Sequence, residues 1–308
     1  MKETDKYIRW ICSLAAGLTL TACSTDETPS FQGRPVDVII ALDGTASLTR
    51  ASTDLSTGTA YLTGGANGMK KYTASGTGVV ADETTGPLLW TANTMTVSGY
   101  YANQGQTAVE STLAYTVQDN NASFLAGEQE ATYSEEERTT VELTLRQQLA
   151  YITITLLAET GTTLSNPKLK GIYTSGTFQG GYDANGFALG GTNNCGWNVS
   201  GEATDWTFTE TATAGTYYAV ILPQRIDAEH KLISIRSVDS NATDPNAGME
   251  LLFSLKETTT FLPGYRYNLK VDRISLTLTM EAGIEVTDFT DATDATTTSS
   301  TSDNITVN

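Results

Sequence analysis

Apolar and polar residues alternate with a period of two in several stretches, the pattern of strands that bury one face, and very few stretches show sustained helical periodicity. The run Thr94-Met95-Thr96-Val97-Ser98-Gly99-Tyr100-Tyr101 shows the alternation clearly. The most regular stretch is 140–157, where two alternating halves are joined by Arg146-Gln147-Gln148-Leu149-Ala150. Such a break predicts the passage from a first β domain into a second. Val36-Asp37-Val38-Ile39-Ile40-Ala41-Leu42 is apolar and β-branched enough for a buried first strand. Shorter candidates lie at 61–63, 71–73, 78–80 and 88–90, and again at 168–173, 176–181, 185–189 and 206–208, punctuated by Gly and Asn. Strands at 217–224, 232–238, 249–255 and 265–271 complete a second set. Residues 124–133, rich in Glu and Ala, and the run Glu135-Glu136-Glu137-Arg138 predict a solvated loop or short helix instead. Turn signals at roughly ten-residue intervals place the chain among all-β sandwiches.

Both ends depart from this pattern. Residues 1–22 open with Lys2, Lys6 and Arg9, diluted by Glu3 and Asp5, and continue as an apolar run over 10–20. That run is shorter than the ~20 apolar residues of a membrane-spanning helix and matches a secretory signal segment. It ends in Leu20-Thr21-Ala22-Cys23, which resembles a bacterial lipobox and makes Cys23 the expected lipidation site. A polar tether, Ser24-Thr25-Asp26-Glu27-Thr28-Pro29-Ser30, follows. At the other end, 274–280 and Ile284-Glu285-Val286-Thr287-Asp288-Phe289 alternate, 290–303 contains only Thr, Ser, Asp and Ala, and Ile305-Thr306-Val307 comes last. Either this is a final strand with a disordered acidic end, or one alternating piece is a strand offered to a neighbour.

Charge and cysteine content narrow the partners and the compartment. The net charge is −17, and loss of 1–22 removes three basic and two acidic groups to leave −18. A surface this acidic repels nucleic acid and anionic lipid, so neither is an expected partner. Of three cysteines, Cys12 lies in the signal segment and Cys23 at its end, leaving Cys195 alone. Neither an intramolecular disulfide nor a zinc-type cysteine spacing is then available. Cys195, in Asn193-Asn194-Cys195-Gly196-Trp197, reads as a structural residue near a turn. Burial alone must hold the fold, and about 285 residues suffice for one large domain or two.

Candidate chemistry is sparse. The one histidine, His230, lies in the polar run Asp227-Ala228-Glu229-His230-Lys231, and no Gly-x-Ser-x-Gly elbow surrounds a serine. A Ser-His-Asp or Cys-His centre is therefore not expected. Carboxylates are abundant, but no spacing singles out a catalytic pair. The segment 239–250 places oxygen ligands at calcium-loop positions one, three, five and twelve, yet it lacks the sixth-position glycine, and Pro245 stands at the seventh. It reads as a strand connection. No phosphate-binding glycine pattern is present, and neither metal, cofactor nor enzymatic activity is expected.

Residues 45–60 are small and polar, the composition of an exposed loop, and they contain Leu48-Thr49-Arg50-Ala51. Eight arginines follow the signal segment. Arg34 precedes Pro35, which most proteases tolerate poorly, and Arg138, Arg146, Arg225, Arg236, Arg266 and Arg273 lie in or beside strand-like segments. Arg50 stands where a protease reaches the backbone. A cut between Arg50 and Ala51 would remove both the lipid anchor and the first strand.

The order of lipobox, first strand, Thr49-Arg50-Ala51, Leu145-Arg146-Gln147-Gln148-Leu149-Ala150-Tyr151-Ile152-Thr153-Ile154, Tyr218-Ala219-Val220-Ile221-Leu222-Pro223-Gln224 and Leu262-Pro263-Gly264-Tyr265-Arg266-Tyr267-Asn268-Leu269 resembles the fimbrillin family. These are subunits of type V pili of anaerobic Gram-negative bacteria. The resemblance spans essentially the whole chain and rests on the order of short motifs. It implies two transthyretin-like β-sandwich domains in tandem behind a lipoprotein signal peptide. The expected parts are the signal at 1–22, a tether and removable strand at 23–50, domains at 51–143 and 144–283, and an acidic tail at 284–308. It further implies an arginine-specific surface protease cutting after Arg50. Val36, Val38, Ile40 and Leu42 would leave with the strand, exposing a groove with unpaired backbone groups. A C-terminal strand of the next subunit, carrying Ile284, Val286 and Phe289 or Ile305 and Val307, would fill it. Such head-to-tail contacts do not close and so build a filament. The implied partners are other fimbrial subunits, the protease and, through the lipid before cleavage, the outer membrane. The competing account is a monomeric surface lipoprotein that binds glycans, with Trp90, Trp197 and Trp206 as a stacking platform. A third is a glycoside hydrolase accessory domain.

Overall fold

The period-two alternation becomes strand after strand in the computed structural model, which describes residues 31–42, 59–75, 78–103, 106–109, 112–135, 139–243, 248–273, 277–280, 284–285 and 305–307. In Thr59–Gly64, Ala60 and Leu62 point inward, and in Thr140–Gln147 the inward set is Val141, Leu143 and Leu145. A face so patterned must meet another, and the strands do so as sheets around three apolar clusters. Among the described residues there is no α-helix, only one 3-10 turn at Thr192–Asn194. The protein is an all-β sandwich.

The N-terminal sheet has seven strands, in the spatial order Asp37–Leu42, Thr140–Gln147, Phe124–Thr132, Thr94–Ala102, Thr59–Gly64, Lys70–Ser75, Gly78–Ala81. Its neighbours pair antiparallel except for the first two, which run parallel. The sheet curls until its edge strands, Asp37–Leu42 and Gly78–Ala81, approach one another. Inside lie Leu62, Leu88, Trp90, Val97, Val141, Leu143 and Leu145. Gly99 faces this core, where an added Cβ would meet Leu143 and Leu62 too closely unless those side chains shifted.

The C-terminal part packs a seven-stranded sheet on a four-stranded one. The first runs Thr209–Glu210, Thr216–Ile221, Ala150–Leu157, Tyr265–Asp272, Thr277–Met280, Ile305–Val307, with Ile284–Glu285 beside Tyr265–Asp272. The second runs Thr204–Thr207, Thr162–Ile172, Lys231–Asp239, Met249–Ser254. Ile152, Ile154 and Leu269 from the first meet Leu169, Ile233, Ile235 and Phe253 from the second.

A further four-stranded sheet draws on both sides of the 140–157 run: Gln106–Val109 and Thr112–Thr116 pair beside Ser175–Phe178 and Trp197–Ser200. Its aromatics, Tyr115, Phe178 and Trp197, crowd around Phe124 with ring centroids 4.8–5.1 Å away. The joint Gln147-Gln148 is buried here. Gln147 Oε1 accepts from Phe124 N (3.1 Å), and Gln148 Oε1 accepts from Ala188 N (2.9 Å). Gln148 Nε2 donates to the carbonyls of Gly186, Arg146 and Ala126 at 3.0, 3.2 and 3.3 Å. The joint read as a connector is therefore a polar hub.

Three local expectations are corrected. Phe124–Thr132, expected as loop or helix, is a nine-residue strand, because its first four residues are buried between neighbours on both sides. Only its second half carries the solvated Glu-rich pattern. Leu88-Leu89-Trp90 is not a strand but a single bridge, Pro35 with Leu89, and 185–189 is a turn with one bridge between Tyr182 and Ala188. In the latter, Asp183 Oδ1 accepts from Asn185 N and Phe187 N at 2.9 Å, a local bond set that competes with strand pairing.

Candidate functional site

The first strand is an addition to the edge of the N-terminal sheet. Among the described residues it pairs with one neighbour only, in parallel register from Asp37 opposite Thr140 to Leu42 opposite Leu145. Alternation sends Val36 and Ile40 into the core, each 6% exposed, with Val38 half-buried between them, while Ile39 stays 51% exposed. The strand therefore closes the core from the side while its outer backbone edge bonds to no other described strand. Between this edge and the far end of the curled sheet lies a cavity of about 380 Å³ lined by Val36, Asp37, Val38, Ile39, Tyr72, Val79 and Thr140.

The chain before the strand is pinned separately. Val36 N donates to Leu88 O (2.9 Å), Trp90 N to Arg34 O (2.8 Å) and Gly33 N to Trp90 O (3.1 Å). The receiving segment is itself held from below. Asn67 Nδ2 donates to Leu89 O (2.7 Å) and Asn67 Oδ1 accepts from Leu89 N (3.3 Å), while Tyr72 Oη accepts from Leu88 N (2.8 Å). Burial pushes the Tyr72 phenol up, against the lowering effect of that bond, so it stays protonated across the physiological range. Sequence reasoning missed Asn67 and Tyr72. The only available signal was Asn67 within Gly64-Gly65-Ala66-Asn67-Gly68, which reads as a turn.

Of the residues singled out in the sequence, Val36, Val38, Ile40 and Leu42 sit together in or at this strand. Ile284 lies in Ile284–Glu285, opposite Arg266, and Ile305 and Val307 lie in the edge strand that pairs with Thr277–Met280. Cys23, Arg50, Ala51, Val286 and Phe289 lie outside the described residues. The tryptophans offer no open platform. Trp90 and Trp197 are buried, the latter donating Nε1–H to Gln148 O (2.9 Å), and half-buried Trp206 donates to Asn120 Oδ1 (2.6 Å). His230 Nε2 sits 2.8 Å from Lys170 O. Cys195 is buried with its thiol 3.2 Å from Thr192 O, and burial raises its pKa. Asp239 ends one strand and Met249 begins its antiparallel neighbour, so 239–250 joins two strands. Among the described residues no three His, Cys, Asp or Glu side chains cluster as metal ligands, and no helix is long and apolar enough to cross a membrane.

The described residues thus form a multi-sheet β-sandwich whose first strand is hung on one edge. The chain belongs to the fimbrillin-like family, whose model matches residues 36–305, beginning at the first buried residue of the edge arm. It is similar to a protein of Bacteroides uniformis provisionally classed as a cell adhesion protein, at 12% identity over 80% of this chain and 95% of that one, with a TM-score of 0.48. A Bacteroides ovatus protein of the same provisional class is 15% identical over 78% and 92%, with a TM-score of 0.49. The C-terminally truncated tip fimbrial protein Mfa3 of Porphyromonas gingivalis is 6% identical over 76% and 94%, with a TM-score of 0.46. No curated protein matches the chain.

Proposed function

We propose that this chain is a structural subunit, stalk or tip, of a cell-surface fimbria. It is exported as a lipoprotein through Cys23, cut after Arg50 by an arginine-specific protease, and polymerised by strand exchange. The observation that carries this reading is the one-sided attachment of Asp37–Leu42, which fills the core through Ile40, with Val36 just before it, yet pairs with a single neighbour among the described residues. Its departure would leave the edge of Thr140–Gln147 unpaired above an apolar slot without breaking any other pairing of the sheet. An unpaired edge over an apolar slot is a template for an added strand. Arg34 is a poor rival to Arg50 as the cleavage point: it precedes Pro35, and its peptide groups are bonded to Phe31 and Trp90. The matured subunit would comprise a first sandwich half that ends with Thr140–Gln147 and a second that begins with Ala150–Leu157, with a donor strand from 284–308 entering the next copy. In this role the chain carries out no catalytic step and needs no cofactor.

The test is the N-terminus and mass of the protein recovered from assembled surface fibres. An unlipidated chain beginning at Ala51 is expected, and an Arg50→Ala variant should form no detergent-stable ladder. Fibres built from chains that still begin at acylated Cys23 would overturn the reading.

A further inference from the structure

The arm formed by residues 31–42 is held at two places of different build. Asp37–Leu42 forms a backbone ladder on Thr140–Leu145. Upstream, Arg34 N donates to Phe31 O (3.1 Å) and closes a turn, with Gly33 at φ +76° in the left-handed region that favours glycine. The turn brings the Phe31 ring edge-on to Tyr133 at 6.1 Å, and Tyr133 in turn meets Trp90 edge-on at 5.5 Å. The Arg34 guanidinium lies over the Tyr133 ring at 5.9 Å and 3.4 Å from Glu135 Oε1. Three backbone bonds to Leu88 and Trp90 complete the attachment. None of these partners belongs to Thr140–Gln147. The upstream hold therefore lies outside the backbone ladder of Asp37–Leu42, although Val36 packs in the same core cluster as Ile40.

We infer that residues 31–36 act as a clasp that keeps the arm bound after the chain is cut between arm and body. The arm then leaves only when an incoming strand peels it off from the Leu42 end. This inference rests on the strand-exchange reading of the same site. A cut anywhere in 43–58 creates a free end joined to Leu42, while the opposite end of the arm stays under the clasp. The pairs Leu42 with Leu145 and Ala41 with Thr144 are the first that a competitor can replace. Replacement of all six pairs leaves the arm held only by the aromatic and backbone contacts of 31–36, which without the ladder let it go. Until then the severed arm shields the apolar slot, so a cut subunit does not expose a sticky edge before its partner arrives. The fitting partner is a second copy of this chain, offering an extended segment with apolar side chains at alternate positions, as Val36, Val38 and Ile40 are spaced.

The experiment uses the chain from Ser24 onward, with residues 47–53 replaced by the recognition sequence of a sequence-specific protease. The outcome then does not depend on whether Arg50 is the natural cut. After digestion, native gel filtration and mass spectrometry follow the arm peptide. The arm is expected to co-elute with the body, and the double variant Phe31→Ala, Arg34→Ala is expected to release it at least about tenfold faster, from loss of the edge-on ring and cation contacts. Melting of both uncut proteins verifies that the variant folds. Immediate loss of the arm from the parent protein, or equal retention in the variant, overturns the clasp. A peptide of sequence 284–293, added in excess, should displace the retained arm. Clasp-dependent retention with no displacement by this peptide or by a second cut copy would overturn the exchange reading and leave the clasp standing.

Discussion

Ile39 and Ile40 are neighbours of the same chemistry on opposite faces of the first strand, and truncating each to alanine tests the register directly. Ile40 is 6% exposed, packs in the N-terminal core and stands opposite Leu143, whereas Ile39 is 51% exposed. Truncation of a buried isoleucine costs about 2–5 kcal/mol, and an edge position that can partly collapse belongs at the lower end, about 2–3 kcal/mol. In a protein whose arm detaches without global unfolding, the measured loss cannot exceed the free energy that docks the arm. That ceiling comes from Val36, Val38 and Ile40, each worth at most about 1.5–3 kcal/mol on full burial, less the cost of ordering the backbone. Urea unfolding reads the global change, and hydrogen exchange across Thr140–Gln147 reads the arm. Ile40→Ala should destabilise by about 2–3 kcal/mol and speed exchange of the arm-facing amides by about 30-fold or more. Ile39→Ala should stay within about 0.5 kcal/mol of the parent. Equal losses, or a larger loss for Ile39→Ala, would refute the reasoning, because a one-residue slip exchanges the two faces.

Gln148→Leu should cost about 2–4 kcal/mol in a thermal or urea melt, since it leaves the buried Ala188 amide without its acceptor and takes a donor from the carbonyls of Gly186, Arg146 and Ala126. Tyr267, whose hydroxyl accepts from Leu262 N and donates to Thr260 O, is raised by burial from the usual 10.0 to about 12. Below pH 10.0 folded and unfolded chains both keep this proton, and between there and about 12 only the unfolded chain releases it. Stability should therefore fall by about 1.4 kcal/mol per pH unit across that window from this group, with a shallower fall in Tyr267→Phe when melts are compared. In a chain starting at Ser24, Cys195 is the sole thiol, buried and raised in pKa, so thiol labelling at neutral pH should proceed only as fast as the protein opens. Rapid labelling of the native protein would place Cys195 at the surface.

Local pattern determined the β class, the alternating faces of Thr94–Ala102 and Thr140–Gln147, and the isolation of 36–42 as an apolar strand, because side-chain direction in a strand is a local, two-residue property. The order of short motifs was likewise sufficient to point to the fimbrillin family that the match over 36–305 shows. Which strands lie beside which was not legible, since pairing is settled by long-range packing. Phe124–Thr132 is a strand only because two neighbours bury its first half, and Gln147-Gln148 becomes a hub only because Phe124 and Ala188 bring their amides to it. The site divides in the same way. The apolar character of the first strand could be read from Val36, Val38 and Ile40, but its parallel, one-sided seat on Thr140–Gln147 arises from the closing of a sheet whose strands lie up to a hundred residues apart. The clasp is more remote still. Phe31, Arg34, Trp90 and Tyr133 meet only through a turn, a single bridge and the curl of that sheet, and no local pattern records such a meeting.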